Sequence, residues 1–153
     1  DTTQTRPESR GTLKLASADP KDAPLIDPNY LAEEKDRVMM REGLKVLREL
    51  CCQPSLAKIT GKELLPGPEK QTDADLDEHV RATAESIYHP VGTARMGSDS
   101  EAVVDPATMS VQAVDGLYAA DASVMPQLVS GNTNAASIMI GCKGADLISK
   151  HLG

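Results

Sequence analysis

The chain contains no phenylalanine and no tryptophan, and Tyr30, Tyr88 and Tyr118 are its only large aromatic side chains. Its core must therefore be built from Leu, Ile, Val, Met and Ala. Cations are also scarce: between Ile87 and Cys142 the sole lysine or arginine is Arg95. A nucleic-acid surface needs clustered Lys and Arg with rings to stack on bases, so that class is excluded. No apolar run approaches the length that crosses a bilayer. Three cysteines, Cys51, Cys52 and Cys142, with no C-x-x-C spacing, make neither a disulfide framework nor a zinc site. Reduced thiols in a protein of cytoplasmic type are the expectation. His79, His89 and His151 lack metal-ligand spacing, and no metal is assigned.

What remains is ordinary globular material. The 153 residues are 40% hydrophobic and 25% charged, with a net charge of −7, enough for one domain with an adequate core and a solubilising surface. The acidic run Asp73-Ala74-Asp75-Leu76-Asp77-Glu78 suits the first turn of a helix, where the dipole favours negative charge.

Periodicity places the elements. Residues 1–11 are polar and expected to fray, and Thr12–Ser17 alternates as a strand. Asp19–Asn29 carries Pro20, Pro24 and Pro28 and reads as extended and loop-like. From Glu33 to about Leu50, Met40, Leu44, Leu47 and Cys51 recur at helical spacing, and Gln53-Pro54 ends that helix. Residues 61–70, with Pro66-Gly67-Pro68, form a surface loop. Thr72 caps a second helix with Leu76, Val80, Ala84 and Ile87 as its buried stripe. Short strands are expected at Met109–Val111 and Leu117–Ala120, turned at Asp115-Gly116. A last helix spans about Asn132 to His151, with Ile138, Cys142, Ala145, Ile148 and Leu152 on one face and small residues, Ser137, Gly141 and Gly144, that would allow close approach to another element.

Two short stretches carry chemistry. In Tyr88-His89-Pro90-Val91-Gly92-Thr93, the proline holds the histidine on a stiff extended turn. In Ser130-Gly131-Asn132-Thr133-Asn134, an amide stands where a helix begins and backbone N–H groups are free. A proton acceptor and a hydrogen-bond donor are the minimum equipment for activating a hydroxyl group. Alone, a loop histidine is more often structural, and an asparagine before a helix is more often a cap.

Four motifs in order change that balance: Tyr88-His89-Pro90-Val91-Gly92-Thr93-Ala94-Arg95-Met96-Gly97, Val103-Val104-Asp105-Pro106, Gly116-Leu117-Tyr118-Ala119-Ala120-Asp121-Ala122-Ser123-Val124-Met125-Pro126, and Val129-Ser130-Gly131-Asn132-Thr133-Asn134-Ala135. Their order and spacing resemble the C-terminal part of the glucose–methanol–choline (GMC) family of FAD-dependent oxidoreductases. Ser9–Leu15 and Pro24–Leu31 are similar to the family's entry into its substrate domain.

The resemblance implies an α+β fold. Residues 12–111 would belong to an antiparallel sheet with covering helices, the substrate-domain portion. Residues 112–153 would return to pack on an FAD-binding Rossmann domain. No G-x-G-x-x-G turn occurs in these residues, so the FAD-binding portion of the same enzyme is an expected partner. An exposed apolar face on the last helix would then favour self-association.

For the chemistry, the resemblance implies oxidation of a primary alcohol to an aldehyde, with hydride passing to FAD. His89 matches the family's catalytic base, and Asn132 matches the neighbouring position that donates to the substrate oxygen. Asp121 and Ala122 resemble the segment that meets the flavin's phosphate region. Asn134, Ala135 and Ala136 begin a helix whose positive end suits an electron-rich flavin carbonyl. The family usually has Pro at Ala136 and often Cys at Ala94. A choline substrate would call for an aromatic or acidic cage, to which this chain contributes only tyrosines and carboxylates. Two alternatives stand beside this reading: a non-catalytic binding fragment, and a lyase on the same scaffold.

Overall fold

The computed structural model describes residues 2–153, and they form two compact units, one ending at Glu85 and the other Ser86–Gly153.

In the first unit, strand β1 (Thr12–Lys14) pairs antiparallel with β2 (Leu25–Asp27), Leu13 opposite Ile26. β1 stops short of Ser17. β2 lies inside the proline-rich segment read as loop-like: Pro24 and Pro28 flank it, so neither removes a ladder donor. This two-stranded antiparallel ribbon is the whole sheet among the described residues.

Helix α1 (Glu34–Cys51) follows, within a residue or so of its expected bounds. Pro54 does more than end it, because it opens a one-turn helix α2 (Pro54–Ala57) from its first position, where its missing N–H costs nothing. α3 (Asp73–Thr83) starts on a capping box, Thr72 accepting from the Asp75 amide while the Asp75 side chain accepts from Thr72 N–H. α3 ends one turn earlier than its apolar stripe suggested. Leu76 and Val80 are buried, while Ala84 and Ile87 lie beyond the helix and are exposed.

Polar contacts lock this unit. Arg41 of α1 donates to both carboxylate oxygens of Asp77 at 2.8 and 2.7 Å, and Lys45 reaches Asp73 at 2.8 Å. Arg48 binds Glu63 and the carbonyls of Gly67 and Lys70, pinning the loop of residues 61–70. The N-terminal segment, expected to fray, is tied to α1 through Asp36. That carboxylate is 1% exposed and accepts from the amides of Glu8 and Ser9, the Ser9 hydroxyl and the Gln4 side chain. Burial alone would push its pKa up, but the hydrogen bonds, led by the Ser9 side chain, outweigh it and hold the group down at about 2. A cavity of about 400 Å³, lined in part by Met39, Met40, Val46, Leu47 and Leu50, also belongs to this unit and includes none of the expected site residues.

The second unit has little regular structure until helix α4 (Asn134–Leu152). The strands expected at residues 109–111 and 117–120 are reduced to isolated bridges, Val104 with Val111 and Ser110 with Tyr118. The core is apolar: Val104, Met109, Val124, Met125 and Ile140, with Val91, Ala94, Met96, Ala120 and Leu147 packed around them. α4 begins at Asn134, so Asn132 stands before the helix and Thr133 is its cap residue.

α4 docks on the core through Ile140, Gly144, Leu147 and Ile148, and the rest of its apolar face is exposed as expected. Ile140 and Gly144 face the core, whereas Ile138 and Leu152 are 60% and 68% exposed. The reason is steric: a Cβ on Gly144 would fall 2.7 Å from the Ala120 Cβ, so only the glycine side of the helix can approach that segment. Among the described residues no helix is long and apolar enough to cross a membrane.

Candidate active site

The histidine motif is held by its backbone. The amides of Gly92, Ala94 and Met96 donate to the carbonyls of Ala122, Ser123 and Val124 at 3.3, 3.0 and 2.8 Å. Those carbonyls belong to a 3₁₀ turn (Ala122–Val124) that Asp121 caps, its Oδ1 accepting from the Ser123 amide at 2.8 Å. The Ser123 side-chain and backbone hydrogen bonds hold the Asp121 carboxyl below its usual range. Asp121 therefore serves as a cap that orients the segment. Gly92 has φ +85°, and a Cβ there would sit 3.1 Å from the Met125 carbonyl oxygen, so the glycine of the motif is required by both conformation and space. Tyr88 holds φ +62° immediately before His89, a left-handed conformation costing a non-glycine residue on the order of 1–2 kcal/mol.

His89 itself is half-buried, and its Nδ1 lies 3.0 Å from Oγ1 of Thr133, 44 residues away. The two stretches singled out from sequence thus meet, through Thr133 rather than Asn132. Asn132 is exposed, and its side chain makes no hydrogen bond among the described residues. Thr133 is 8% exposed, and its hydroxyl does not cap α4. With no side-chain cap, the first amides of the helix, those of Asn134, Ala135 and Ala136, lack an acceptor within the helix. No acidic side chain occupies that first turn, and Asn134 and Ala135 are exposed. Small side chains, open N–H groups and the positive end of a 19-residue helix suit an electron-rich carbonyl of a flavin, so the donor set fits the group. Ala122 lies partly buried in the Asp121-capped turn.

Arg95 pairs with Asp99 at 2.6 Å. Thr133 and Asp36 were missed. For Thr133 the available signal was a hydroxyl at a cap position flanked by two asparagines; for Asp36 none was present beyond a carboxylate in a first turn.

The sequence profile of GMC oxidoreductases matches residues 7–141. The chain belongs to the GMC oxidoreductase family. It is 47% identical over 95% of its length to the alcohol dehydrogenase [acceptor] of Pseudomonas putida, of which it covers 26%. It is 51% identical over 94% of its length to the mitochondrial choline dehydrogenase of Homo sapiens, of which it covers 24%. Among solved structures, pyridoxine 4-oxidase from Mesorbium loti superposes with a TM-score of 0.88 at 36% identity, over 96% of this chain and 28% of that one. A formate oxidase variant from Aspergillus oryzae superposes with a TM-score of 0.87 at 31% identity, over 96% of this chain and 26% of that one. This GMC chain thus spans about a quarter of the length of the relatives it matches.

Proposed function

We propose that this chain is the C-terminal part of an FAD-dependent enzyme that oxidises a primary alcohol to an aldehyde, with His89 as the base. The observation that carries the reading is the meeting of His89 with the start of α4, where Thr133 touches the imidazole and the amides of Asn134, Ala135 and Ala136 stand open. The names of the relatives point to alcohols as the donor class and speak for oxidation over the lyase and the non-catalytic readings.

The roles follow from the chemistry of each group. An alcohol releases hydride readily only as its hydroxyl proton leaves, because the developing alkoxide pushes electrons onto carbon. Nε2 of His89, the ring nitrogen not engaged by Thr133, takes that proton. Asn132 cannot act as a base at neutral pH, but its side-chain N–H₂ donates to the substrate oxygen as charge builds there. A bound flavin would supply the two-electron acceptor for the hydride. The open amides of α4 would hold its electron-rich carbonyl edge, and the Asp121-capped turn with Ala122 would lie along it.

In the longer protein, residues 12–111 contribute to the substrate domain and residues 112–153 return to the flavin domain. The exposed side of α4, with Ile138, Cys142 and Leu152, is then the face that packs on the flavin domain. In residues 1–153 alone it drives self-association.

Anaerobic mixing of the full-length, flavin-loaded enzyme with a primary alcohol tests the reading. Bleaching of the oxidised flavin with release of the matching aldehyde is expected. A flavin that stays oxidised with primary alcohols of every size tried would overturn it.

A further inference from the structure

We propose that Thr133 sets the tautomer of His89: its Oγ1 accepts the Nδ1–H and leaves Nε2 as the bare nitrogen that faces the alcohol. The inference rests on the reading of His89 as the base.

Three features of Thr133 carry it. It sits at the cap position of a 19-residue helix, yet its backbone is helical, φ −81° and ψ −8°, and its hydroxyl makes no cap hydrogen bond. A threonine there ordinarily turns its oxygen to the helix amides; this one turns it to the imidazole at 3.0 Å. Its carbonyl is already used by the Ser137 amide and hydroxyl, at 2.9 and 2.8 Å, which fixes the residue on the helix and leaves the hydroxyl as its contact with the ring. Finally, Thr133 is 8% exposed, so water competes little for that contact.

A neutral imidazole has one N–H and one lone pair, and the partner of one nitrogen decides the state of the other. If Thr133 donated to Nδ1, the ring proton would sit on Nε2 and no lone pair would meet the substrate. With Nδ1–H donating to Oγ1, Nε2 accepts the alcohol proton. The resulting imidazolium keeps its Nδ1–H on the same oxygen, so no partner must rearrange during transfer. Thr133 is thus a positioning residue acting through His89. The backbone ladder from Gly92, Ala94 and Met96 to the 3₁₀ turn holds the ring's side of the pair, and α4 holds the other.

The test uses the full-length, flavin-loaded enzyme with ¹⁵N-labelled histidine. Solid-state ¹⁵N spectra identify the protonated nitrogen, and His89 is assigned by subtraction of the spectrum of His89→Gln. Wild type and Thr133→Ser should carry the proton on Nδ1, whereas Thr133→Val, isosteric without the hydroxyl, should move it wholly or partly to Nε2. In stopped-flow reduction, Thr133→Val should lower kcat about tenfold or more with KM within about twofold, and Thr133→Ser should restore most of the rate. A wild-type proton on Nε2, or a Thr133→Val enzyme with an unchanged tautomer and rate, overturns the proposal. His89→Ala run in parallel separates the two readings: loss of activity there with an indifferent Thr133→Val sinks the tautomer role alone, and full activity of His89→Ala sinks the base itself.

Discussion

The two units are held by different forces. In the unit that ends at Glu85, the buried apolar side chains are Leu76 and Val80, and eight of the nine ion pairs among the described residues lie there. In the unit of Ser86–Gly153, the buried set is Ala102, Val104, Met109, Val124, Met125 and Ile140, with the single pair Arg95–Asp99. Polar pins act at particular points and tolerate loose surroundings. An apolar core packs from all sides and fixes the backbone between its members. The candidate site lies on the second unit, where a histidine that must keep one orientation is carried by residues 91–96 laid against that core. Rigid support of this kind is what a proton-transfer group requires.

The contrast can be broken by mutation. Met125→Ala removes a core side chain that is 3% exposed, and it should destabilise the second unit by about 2–5 kcal/mol in denaturant unfolding. The matching blow to the first unit is polar. Asp36→Asn leaves donors from Glu8 and Ser9 without a full set of acceptors, at an expected cost of about 1–3 kcal/mol. The same carboxylate gives that unit its acid sensitivity. Its folded-state pKa is about 2 against an ordinary 3.8. The ionised form therefore stabilises the fold fully above about 4. That contribution, on the order of 2 kcal/mol, is lost as pH falls through about 2. Acid titration of wild type and Asp36→Asn should show a difference that closes in this window.

A smaller pair of effects sharpens the account of α4. Gly144→Ala places a methyl 2.7 Å from the Ala120 Cβ and should cost about 1–3 kcal/mol. Gly141→Ala meets nothing nearer than the Ala120 carbonyl at 3.8 Å and should stabilise the helix by about 0.5–1 kcal/mol. Equal effects at both positions, measured by thermal melts, would mean that the helix does not dock on its glycine side. The least should come from Arg95→Gln, which breaks an exposed i,i+4 pair and should leave the melting curve unchanged.

How much was legible in advance follows the same division. α1 and α3 were readable because their apolar spacing and the Thr72 cap are local signals, encoded within one or two turns. The pairing of Leu13 with Ile26 was half-visible, since prolines at both ends of β2 mask a strand only three residues long. On α4 the small residues Ser137, Gly141 and Gly144 signalled a close approach, which Gly144 makes against Ala120, while Ile138 lies on the exposed side. Asp36 escaped because its partners, Gln4, Glu8 and Ser9, lie 27 to 32 residues away. His89 and the segment from Asn132 were found through motifs, yet motif spacing does not reveal which side chain of the second stretch reaches the first. The hydroxyl of Thr133 does so, and only the fold brings it there.

The central claim, that His89 takes the alcohol proton, is tested most directly by anaerobic stopped-flow reduction of the full-length enzyme carrying His89→Ala. The account predicts a rate of flavin reduction lowered about 10²-fold or more, because the alcohol proton loses its acceptor. Asn132→Ala, which removes one stabilising donor, should cost less than His89→Ala. Flavin reduced by His89→Ala at the wild-type rate would contradict the account and leave the histidine motif with a structural role.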